Sequence, residues 1–402
     1  QGIAPQGGNV GVASMRYNHR SGLRISEVGV GCYSLGGVYG PKDLDEFARM
    51  IRRAYELGVT FFDTADAYGD AESILGKIVR GFRDEIHIAT KVGVVSGATF
   101  DLSPERVKGA CDESLKRLGT DYIDLYQVHF DDPKTPVEDV VGALESLVAS
   151  GKIRRYGVGH LPAEKIARYC DVGRPFSVLM ELSAAARDAR AKILPLCRER
   201  GMAAIAFSTT GRGILTGTIH EGHRFPPGDM RSYDPLFQRE QFQSALRVAQ
   251  KFAELAARYR KTPVQAAIAW VLAQPGVVCA LTGPSTVAHL EENVGAARWE
   301  ITTGDLAALD AFFAEEDAWL DRERRKAVQS ILGSPLAADP ATALTDLVYV
   351  IETAAATGMC TEEEIIPLFR DLFALKSSLD MRALAKMDSI RRQLAAILAG
   401  RT

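Results

Sequence analysis

The feature that most constrains this 402-residue chain is a series of eight short apolar segments, each followed by a stretch with helical periodicity. The segments are mostly apolar throughout and do not alternate with polar residues. Such runs are typical of parallel strands that are covered on both faces. The eight segments are 28–31, 59–62, 85–90, 123–128, 156–159, 178–182, 203–207 and 277–281. Eight strands alternating with helices predict an α/β fold that closes into a (β/α)8 TIM barrel.

Ionisable side chains stand at the ends of three of these predicted strands. Asp63 follows the second strand, and Tyr68 lies five residues later in a loop with an adjacent glycine. Lys91 follows the third strand and His129 follows the fourth. Ligands bind at the carboxyl ends of barrel strands, so these residues predict an active site. The structural alternative is a buried Asp63–Lys91 ion pair, a core histidine and a loop tyrosine without a role.

Composition excludes several other classes of protein. The net charge is −3 and the pI about 6.2, and the basic residues are scattered, which excludes a nucleic-acid or anionic-membrane surface. The apolar stretches are shorter than the ~20 residues that span a bilayer. Six cysteines without close pairing predict free thiols and no metal site. We therefore expect a soluble cytoplasmic protein that binds neither nucleic acid nor membranes.

The sequence divides into three parts. Residues 1–14 have no periodicity and are interpreted as a tag or a disordered leader. Residues 15–315 form the predicted barrel, which includes a short hairpin about Ser21-Gly22 before the first strand and a helix over 189–200. Residues 316–402 form a predicted helical extension. Two helix starts are indicated at Asp339-Pro340 and Thr361, and 381–398 carries a one-sided apolar stripe. The extension either packs on the barrel, covers the site or joins subunits into an oligomer, and simple packing is the default interpretation.

Several motifs resemble the aldo-keto reductases. They are FDTADAYG, ATK ending at Lys91, VH ending at His129, LVASGKIRRYGVG and GPSTVAHLEENVGA, and the resemblance covers about residues 22–314. Two further segments, GPKDLDEF and FDLSPERVKGACDESLKRLGTDYIDL, are most similar to the sugar-oxidising branch that includes L-galactose dehydrogenase. The resemblance implies a barrel enzyme that transfers hydride between a nicotinamide cofactor, NADP or NAD, and a small carbonyl or sugar substrate.

The candidate catalytic residues suit this chemistry. Hydride transfer to a carbonyl needs a group that gives a proton to the forming alkoxide. A free tyrosine has a pKa near ~10, and a neighbouring cation lowers that pKa. Tyr68 is therefore the predicted acid/base, Lys91 and Asp63 adjust its pKa, and His129 orients the substrate oxygen. The family resemblance implies the same roles.

The predicted nicotinamide site departs from the family pattern. The resemblance implies a Ser-Asn pair after the fifth strand and a glutamine on the sixth, whereas this chain has Gly159-His160 and Leu179 there. Two hydrogen bonds to the carboxamide, each worth about 0.5–1.5 kcal/mol, are then missing unless His160 replaces one. Phe207, followed by Ser208, is either the aromatic that stacks on the nicotinamide or a core residue.

The predicted phosphate and adenosine end is closer to the family pattern. Glycine at 213 permits close approach of the backbone to phosphate, and the last barrel helix begins after Gly283 with amides that attract anions. The candidates here are Arg212, Gly213, Leu215, Gly283, Ser285, Thr286, Glu292 and Asn293. PSTVAHLEEN contains no Lys or Arg to clamp a 2′-phosphate, so NAD is as plausible as NADP, with Arg212 the nearest candidate clamp. Ser285 and Thr286 are alternatively a plain helix cap.

Candidate substrate contacts are Tyr33 after the first strand and Phe130, Asp131 and Asp132 after His129. An acidic pair suits sugar hydroxyls or an amine, although loop acids are often only solvated. Residues 220–237 are rich in proline and glycine and predict a lid. The two histidines within it are weak evidence for a metal.

The predicted function is NAD(P)-dependent oxidoreduction of a sugar or related small molecule. Two alternative functions are also compatible with the sequence. The altered carboxamide site is compatible with a barrel enzyme that uses bound NAD(P) transiently for epimerisation or dehydration. The resemblance also includes non-catalytic potassium-channel β-subunits that share the barrel.

Overall fold

The computed structural model describes residues 15–20, 22–37, 43–96, 99–226, 228–297, 299–375 and 379–399. The predicted leader 1–14 lies outside these residues. So do Ser21 of a predicted hairpin turn, residues 40–42 of the GPKDLDEF segment and Pro227 of the predicted lid.

Eight parallel strands close into a barrel, which confirms the predicted fold. The strands are β3 (Val28–Gly31), β4 (Phe61–Asp63), β5 (His87–Val92), β8 (Ile123–Val128), β9 (Ile153–Gly159), β10 (Ser177–Glu181), β11 (Ala203–Phe207) and β12 (Val277–Thr282). Each strand pairs with its two neighbours in the order β10-β11-β12-β3-β4-β5-β8-β9. Their apolar side chains are almost all buried, because helices cover the outside and side chains fill the interior.

Two hairpins accompany the barrel. The first, β1 (Tyr17–Arg20) with β2 (Leu23–Ser26), was predicted. Its Leu23 and Ile25 belong to the same buried cluster as Phe61 and Leu125, so the hairpin packs on the barrel interior. The second, β6 (Val94–Ser96) with β7 (Thr99–Phe100), follows β5 and was not predicted.

Helices follow the strands, as the sequence periodicity predicts. They are α1 (Leu44–Glu56), α2 (Ala71–Val79), α3 (Pro104–Leu118), α4 (Val137–Ala149), α5 (Ala163–Val172), α6 (Asp188–Lys192), α7 (Leu194–Glu199), α8 (Arg239–Tyr259), α9 (Pro263–Leu272) and α10 (Val287–Val294). Local side chains determine several ends. Asp43 accepts hydrogen bonds from two amides at the start of α1, and Gly119 ends α3 with φ of 65°.

One helix prediction was wrong. Residues 189–200 were expected to form a single helix, but α6 ends at Lys192 and α7 begins at Leu194. Pro195 lies in the first turn of α7. Proline has no backbone N–H, and its ring clashes with the preceding turn, so it is accepted at the start of a helix and not in its interior.

The chain divides into two compact units after Leu306. The second unit comprises most of α11 (Thr303–Gly333) with α12 (Pro340–Ala356), α13 (Glu362–Ala374) and α14 (Met381–Leu398). Its own core includes Leu347, Leu372 and Met387, so the predicted helical extension is confirmed. The boundary predicted after residue 315 falls within α11. In the described part of the chain, no helix has the length and apolar character that crossing a membrane requires.

Candidate active site

Three neighbouring strands bring the candidate catalytic side chains to one end of the barrel. Asp63 is the last residue of β4, Lys91 lies near the end of β5, and His129 follows β8. Lys91 is paired with Gln127 on β8, so both side chains face the same side at the same height. Asp63, Lys91, Gln127 and His129 are all buried, which places their polar groups in a poorly solvated layer at the barrel rim.

A short ion pair organises this layer. Lys91 Nζ lies 2.5 Å from Asp63 Oδ1 and donates to the Thr64 carbonyl at 2.7 Å. Gln127 Nε2 donates to the other Asp63 oxygen at 3.1 Å. Burial alone would lower the pKa of Lys91, but Asp63 and Tyr68 outweigh it and the net pKa is raised. Lys91 therefore remains an ammonium at neutral pH.

Tyr68 lies beside this ammonium. Lys91 Nζ is 4.8 Å from the centroid of the Tyr68 ring. The structure differs from the expectation in one respect. Burial raises the pKa of Tyr68 and outweighs the opposing charge of Lys91, so the net pKa is above the usual value. The phenol is consequently protonated at neutral pH, and Lys91 limits how far its pKa rises.

His129 is the third polar group of the rim. Its ring centroid is 5.8 Å from that of Tyr68, and its Nδ1 has no hydrogen-bond partner among the described residues. Burial and then the charge of Lys91 lower the pKa of His129 to about 2. The imidazole is therefore neutral and has one N–H available to donate to an oxygen beside Tyr68.

An aromatic wall continues from His129 around the rim. The successive ring-centroid distances are 4.7 Å from His129 to Phe130, 4.6 Å from Phe130 to His160 and 4.8 Å from His160 to Phe207. His160 Nδ1 lies 3.1 Å from the His129 carbonyl oxygen, which can only accept, so Nδ1 carries the proton. Desolvation and then Lys91 lower the pKa of His160 to about 4, which leaves Nε2 as an acceptor at neutral pH.

Three residues at this rim have left-handed backbone conformations, although none is glycine. The φ angles are 50° for His160, 57° for Ser208 and 54° for Arg212. Such conformations store about 1–3 kcal/mol each and are frequent at ligand sites. Ser208 Oγ is buried and has no hydrogen-bond partner within the described part of the chain. These are the properties of a surface shaped for a ligand.

Glu181 is a rim residue that the sequence analysis missed. Leu179, where a glutamine was expected, is buried in the interior cluster of the barrel. Glu181 lies two residues further along β10 and accepts from Arg212 at 2.6 and 3.0 Å. The period-two alternation from Leu179 was the signal that could have identified it. Asp234 also pairs with Arg212 at 2.8 Å, so two carboxylates share the charge of the predicted phosphate clamp.

The residues predicted for the phosphate and adenosine end follow two neighbouring strands, β11 and β12. Gly213 has φ of 95° and precedes a 3-10 turn in which Leu215 is buried. Thr286 accepts from the His289 amide at 3.2 Å and caps α10, and Asn293 is buried in the last turn. Gly283 and Ser285 precede this cap, and Glu292 lies beside Asn293. Their predicted cofactor contacts stay predictions.

The substrate candidates differ in their surroundings. The Tyr33 ring is 5.0 Å from the Tyr68 ring, so it lies at the mouth of the site. Phe130 belongs to the aromatic wall. Asp131 pairs with Lys165 at 3.3 Å. Asp132 is buried and accepts hydrogen bonds from Thr135 and two loop amides, so its oxygens already serve the fold, and its substrate contact stays a prediction.

The predicted lid, 220–237, reaches the site at two points. Met230 Sδ accepts from the Tyr33 hydroxyl at 3.8 Å, and Asp234 pairs with Arg212. The segment contains two 3-10 turns, Met230–Ser232 and Pro235–Phe237. His220 and His223 have ring centroids 5.6 Å apart, but the described residues contain no group of three side chains arranged to hold a metal ion.

Comparisons with known proteins agree with this geometry. A sequence profile of the Aldo/keto reductase family matches residues 27–314. Aldo-keto reductase str7 of Strobilurus tenacellus is 35% identical over 75% of this chain and 93% of its own length. Probable aldo-keto reductase 1 of Glycine max is 35% identical over 71% of this chain and 84% of its own length. The sugar-oxidising branch stays a prediction.

Two solved structures are also similar. Glycerol dehydrogenase AKR11B4 from Gluconobacter oxydans has a TM-score of 0.68 and 29% identity, covering 76% of this chain and 96% of its own. Aldo-keto reductase AKR11C1 from Bacillus halodurans has a TM-score of 0.63 and 28% identity, covering 74% and 96%. This chain therefore belongs to the aldo/keto reductase family and is an oxidoreductase that uses NAD or NADP.

Proposed function

We propose that the chain exchanges hydride between NAD(P) and the carbonyl or hydroxyl of a sugar or related small molecule, with Tyr68 as the acid/base. The observation that supports this most directly is the Lys91 ammonium, which lies 4.8 Å from the Tyr68 ring centroid while it is held by Asp63. The bound cofactor supplies or accepts the hydride. The side chains of the rim move the proton and orient the substrate.

Tyr68 carries the proton in both directions. In reduction its hydroxyl gives a proton to the substrate oxygen, and in oxidation its phenolate accepts one. Lys91 favours the phenolate, and the hydrogen bonds that it donates to the Asp63 carboxylate and the Thr64 carbonyl keep the ammonium oriented. Because burial raises the pKa of Tyr68, the acid form is abundant at neutral pH and reduction is favoured there, whereas oxidation improves as pH rises.

His129 positions the substrate oxygen. Its neutral imidazole can donate one hydrogen bond, and its pKa of about 2 prevents it from competing with Tyr68 as the proton donor. The donor is fixed by burial and by the stacked Phe130 ring before substrate arrives. A preorganised donor of this kind stabilises charge that develops on the substrate oxygen.

The rim residues after β9 and β11 fit a nicotinamide. Phe207 offers an aromatic face, and the His160 Nε2 acceptor suits the amide N–H groups of a carboxamide. Ser208 Oγ, which has no hydrogen-bond partner among the described residues, can serve the carboxamide oxygen. Gly213 and the α10 terminus suit the diphosphate and adenosine parts. These residues replace the Ser-Asn pair that the family pattern implies.

The substrate class is a small polyhydroxy or carbonyl compound. One similar solved structure is a glycerol dehydrogenase, whose named substrate is a polyol. In this chain, the Tyr33 ring contacts the Tyr68 ring at the mouth, and Glu181 with its partner Arg212 lies at the carboxyl end of β10. Aromatic faces next to charged groups suit a molecule with both carbon–hydrogen faces and hydroxyls.

Tyr68→Phe tests the proposal. It removes the proton donor and keeps the ring, so we expect turnover to fall by about a hundredfold or more. Binding of reduced dinucleotide, measured by fluorescence titration, should stay unchanged. Tyr33→Phe is the matched control and should retain most activity, because its hydroxyl, which donates to Met230 in the lid, takes no part in the proposed proton transfer. Equal turnover in Tyr68→Phe and wild-type enzyme, assayed on an aldehyde and aldose panel, contradicts the assigned role.

A further inference from the structure

Glu46 joins the first turn of α1 to the first amide of α10. Its Oε1 accepts a hydrogen bond from the Val287 backbone N–H at 2.9 Å, although the two residues are 241 positions apart. Thr286, the capping residue of α10, precedes this amide directly. Helix-terminal amides attract anions through unpaired N–H groups and the helix dipole. A carboxylate from another helix therefore already occupies this anion-binding position.

The carboxylate is charged and accessible. The hydrogen bond from the Val287 amide, and then that from Arg49, hold the pKa of Glu46 below its usual value. Arg49 donates to Glu46 Oε2 at 2.7 Å. The Glu46 side chain keeps 24% of its surface exposed, so a ligand that lies along the start of α10 can reach it.

Two arginines of α1, Arg49 and Arg53, are held by carboxylates. Arg49 pairs with Glu46, and Arg53 pairs with Glu291 on α10 at 2.8 Å and with Glu56 at 3.1 Å. The sequence from 283 to 297 contains neither Lys nor Arg. Both of these arginines are therefore already neutralised, and a phosphate at the start of α10 would lie beside the Glu46 carboxylate.

We propose that Glu46 makes this enzyme select NAD over NADP. This rests on the proposed function, in which the dinucleotide crosses the ends of β11 and β12 and its adenosine lies at α10. A ribose 2′-hydroxyl can donate a hydrogen bond to the Glu46 carboxylate. A 2′-phosphate carries about −1.5 to −2 charges, accepts but does not donate, and competes for the Val287 amide against a negative group.

Fluorescence titrations with NADH and NADPH test the proposal. Wild-type enzyme should bind NADH at least about tenfold more tightly, and Glu46→Gln should tighten NADPH binding by about tenfold while NADH changes by less than about threefold. Glutamine keeps an oxygen acceptor for the Val287 amide. The difference between the two ligands should shrink at high salt. Thermal unfolding establishes that the variant is folded. Glu113→Gln, which removes an exposed carboxylate paired with Lys116 on α3, should leave the ratio unchanged.

Three outcomes overturn the inference. Wild-type enzyme could prefer NADPH, the ratio could stay the same in Glu46→Gln, or Arg49→Ala could weaken NADPH alone, which would identify Arg49 as a phosphate clamp. Failure of both dinucleotides to bind overturns the proposed function itself, and the inference with it. Selectivity and binding are separate readouts, so the two failures are distinguishable.

Discussion

Two buried carboxylates near opposite ends of the barrel have different surroundings. Asp124, near the amino end of β8, accepts from Arg83 at 2.7 Å, His87 at 3.2 Å and the Ile88 amide at 3.0 Å. Asp63, at the carboxyl end of β4, is paired with Lys91 and contacts Gln127. One carboxylate is surrounded by donors, and the other depends on a single cation.

The different contacts of the two carboxylates indicate different roles, Asp124 in the stability of the fold and Asp63 at the candidate active site. Burial alone would raise the pKa of Asp124, but His87 and Arg83 outweigh it and the net pKa is lowered, so the charged form stabilises the fold. Burial also raises the pKa of Asp63, and there it prevails over Lys91. Two polar atoms without described partners, His129 Nδ1 and Ser208 Oγ, lie at the same rim as Asp63. The rim therefore offers polar groups to a ligand, whereas Asp124 receives donors of the fold on both of its oxygens.

The largest effect is expected at the amino end. Asp124→Asn leaves the Arg83 side chain, which is only 10% exposed, beside a neutral amide, so we expect a loss of about 3–5 kcal/mol in the free energy of unfolding. Urea denaturation measures the loss. Asp112→Asn is the control, because its pair with Lys152 is half exposed and worth less than about 1 kcal/mol. Equal losses for the two variants contradict the comparison.

At the rim, Lys91→Met should act on turnover. Without the ammonium, the pKa of Tyr68 rises further, and we expect turnover to fall by about a hundredfold, equivalent to about 2.7 kcal/mol of activation free energy. The pH–rate profile for oxidation should move to higher pH. Lys165→Met, which removes an ion pair with the predicted substrate contact Asp131, should leave the profile in place. An unchanged profile in Lys91→Met means that the cation does not act on Tyr68.

The smallest effect concerns the pH dependence of stability. Burial, then Glu72, raises the pKa of Asp66 from 3.8 to about 6. The folded state therefore binds this proton more tightly than the unfolded state, so Asp66 reduces stability as pH rises from about 4 to 6. Asp66→Asn should remove that slope and stabilise the protein at pH 7 by about 2 kcal/mol, which is about 3 kcal/mol from the pKa shift less about 1 kcal/mol for the lost pair with Arg106. Asp124 acts with the opposite sign, because its contribution is lost as pH falls below about 4.

Denaturation midpoints at pH 4, 5, 6 and 7 for wild type and Asp66→Asn measure this effect. Identical slopes in the two proteins contradict the assigned pKa.

Much of the architecture could be predicted because it follows from local pattern. Uninterrupted apolar runs identified all eight barrel strands, and strand ends identified Asp63, Lys91 and His129 as neighbours before any distance was known. The broken helix at Pro195 was also present in the sequence as a local signal and was overlooked.

The remainder depends on three-dimensional quantities. The direction of the Tyr68 pKa is set by how much burial outweighs one cation, which residue types do not reveal. The role of Glu181 depends on its pair with Arg212, which comes from the loop after the next strand and could not be placed beside it from sequence. The contact between Glu46 and Val287 joins the first and last helices of the barrel, so no local motif could indicate it.

The left-handed backbone at His160, Ser208 and Arg212 has an evolutionary consequence. Glycine adopts this conformation without the steric penalty of a side chain. Selection for heat resistance alone should therefore favour glycine at these three positions. A thermally evolved lineage that gains melting temperature through such replacements should lose the cofactor contacts predicted for these three residues. If growth also depends on the enzyme, the positions that keep their original residue are those whose side chains the activity requires.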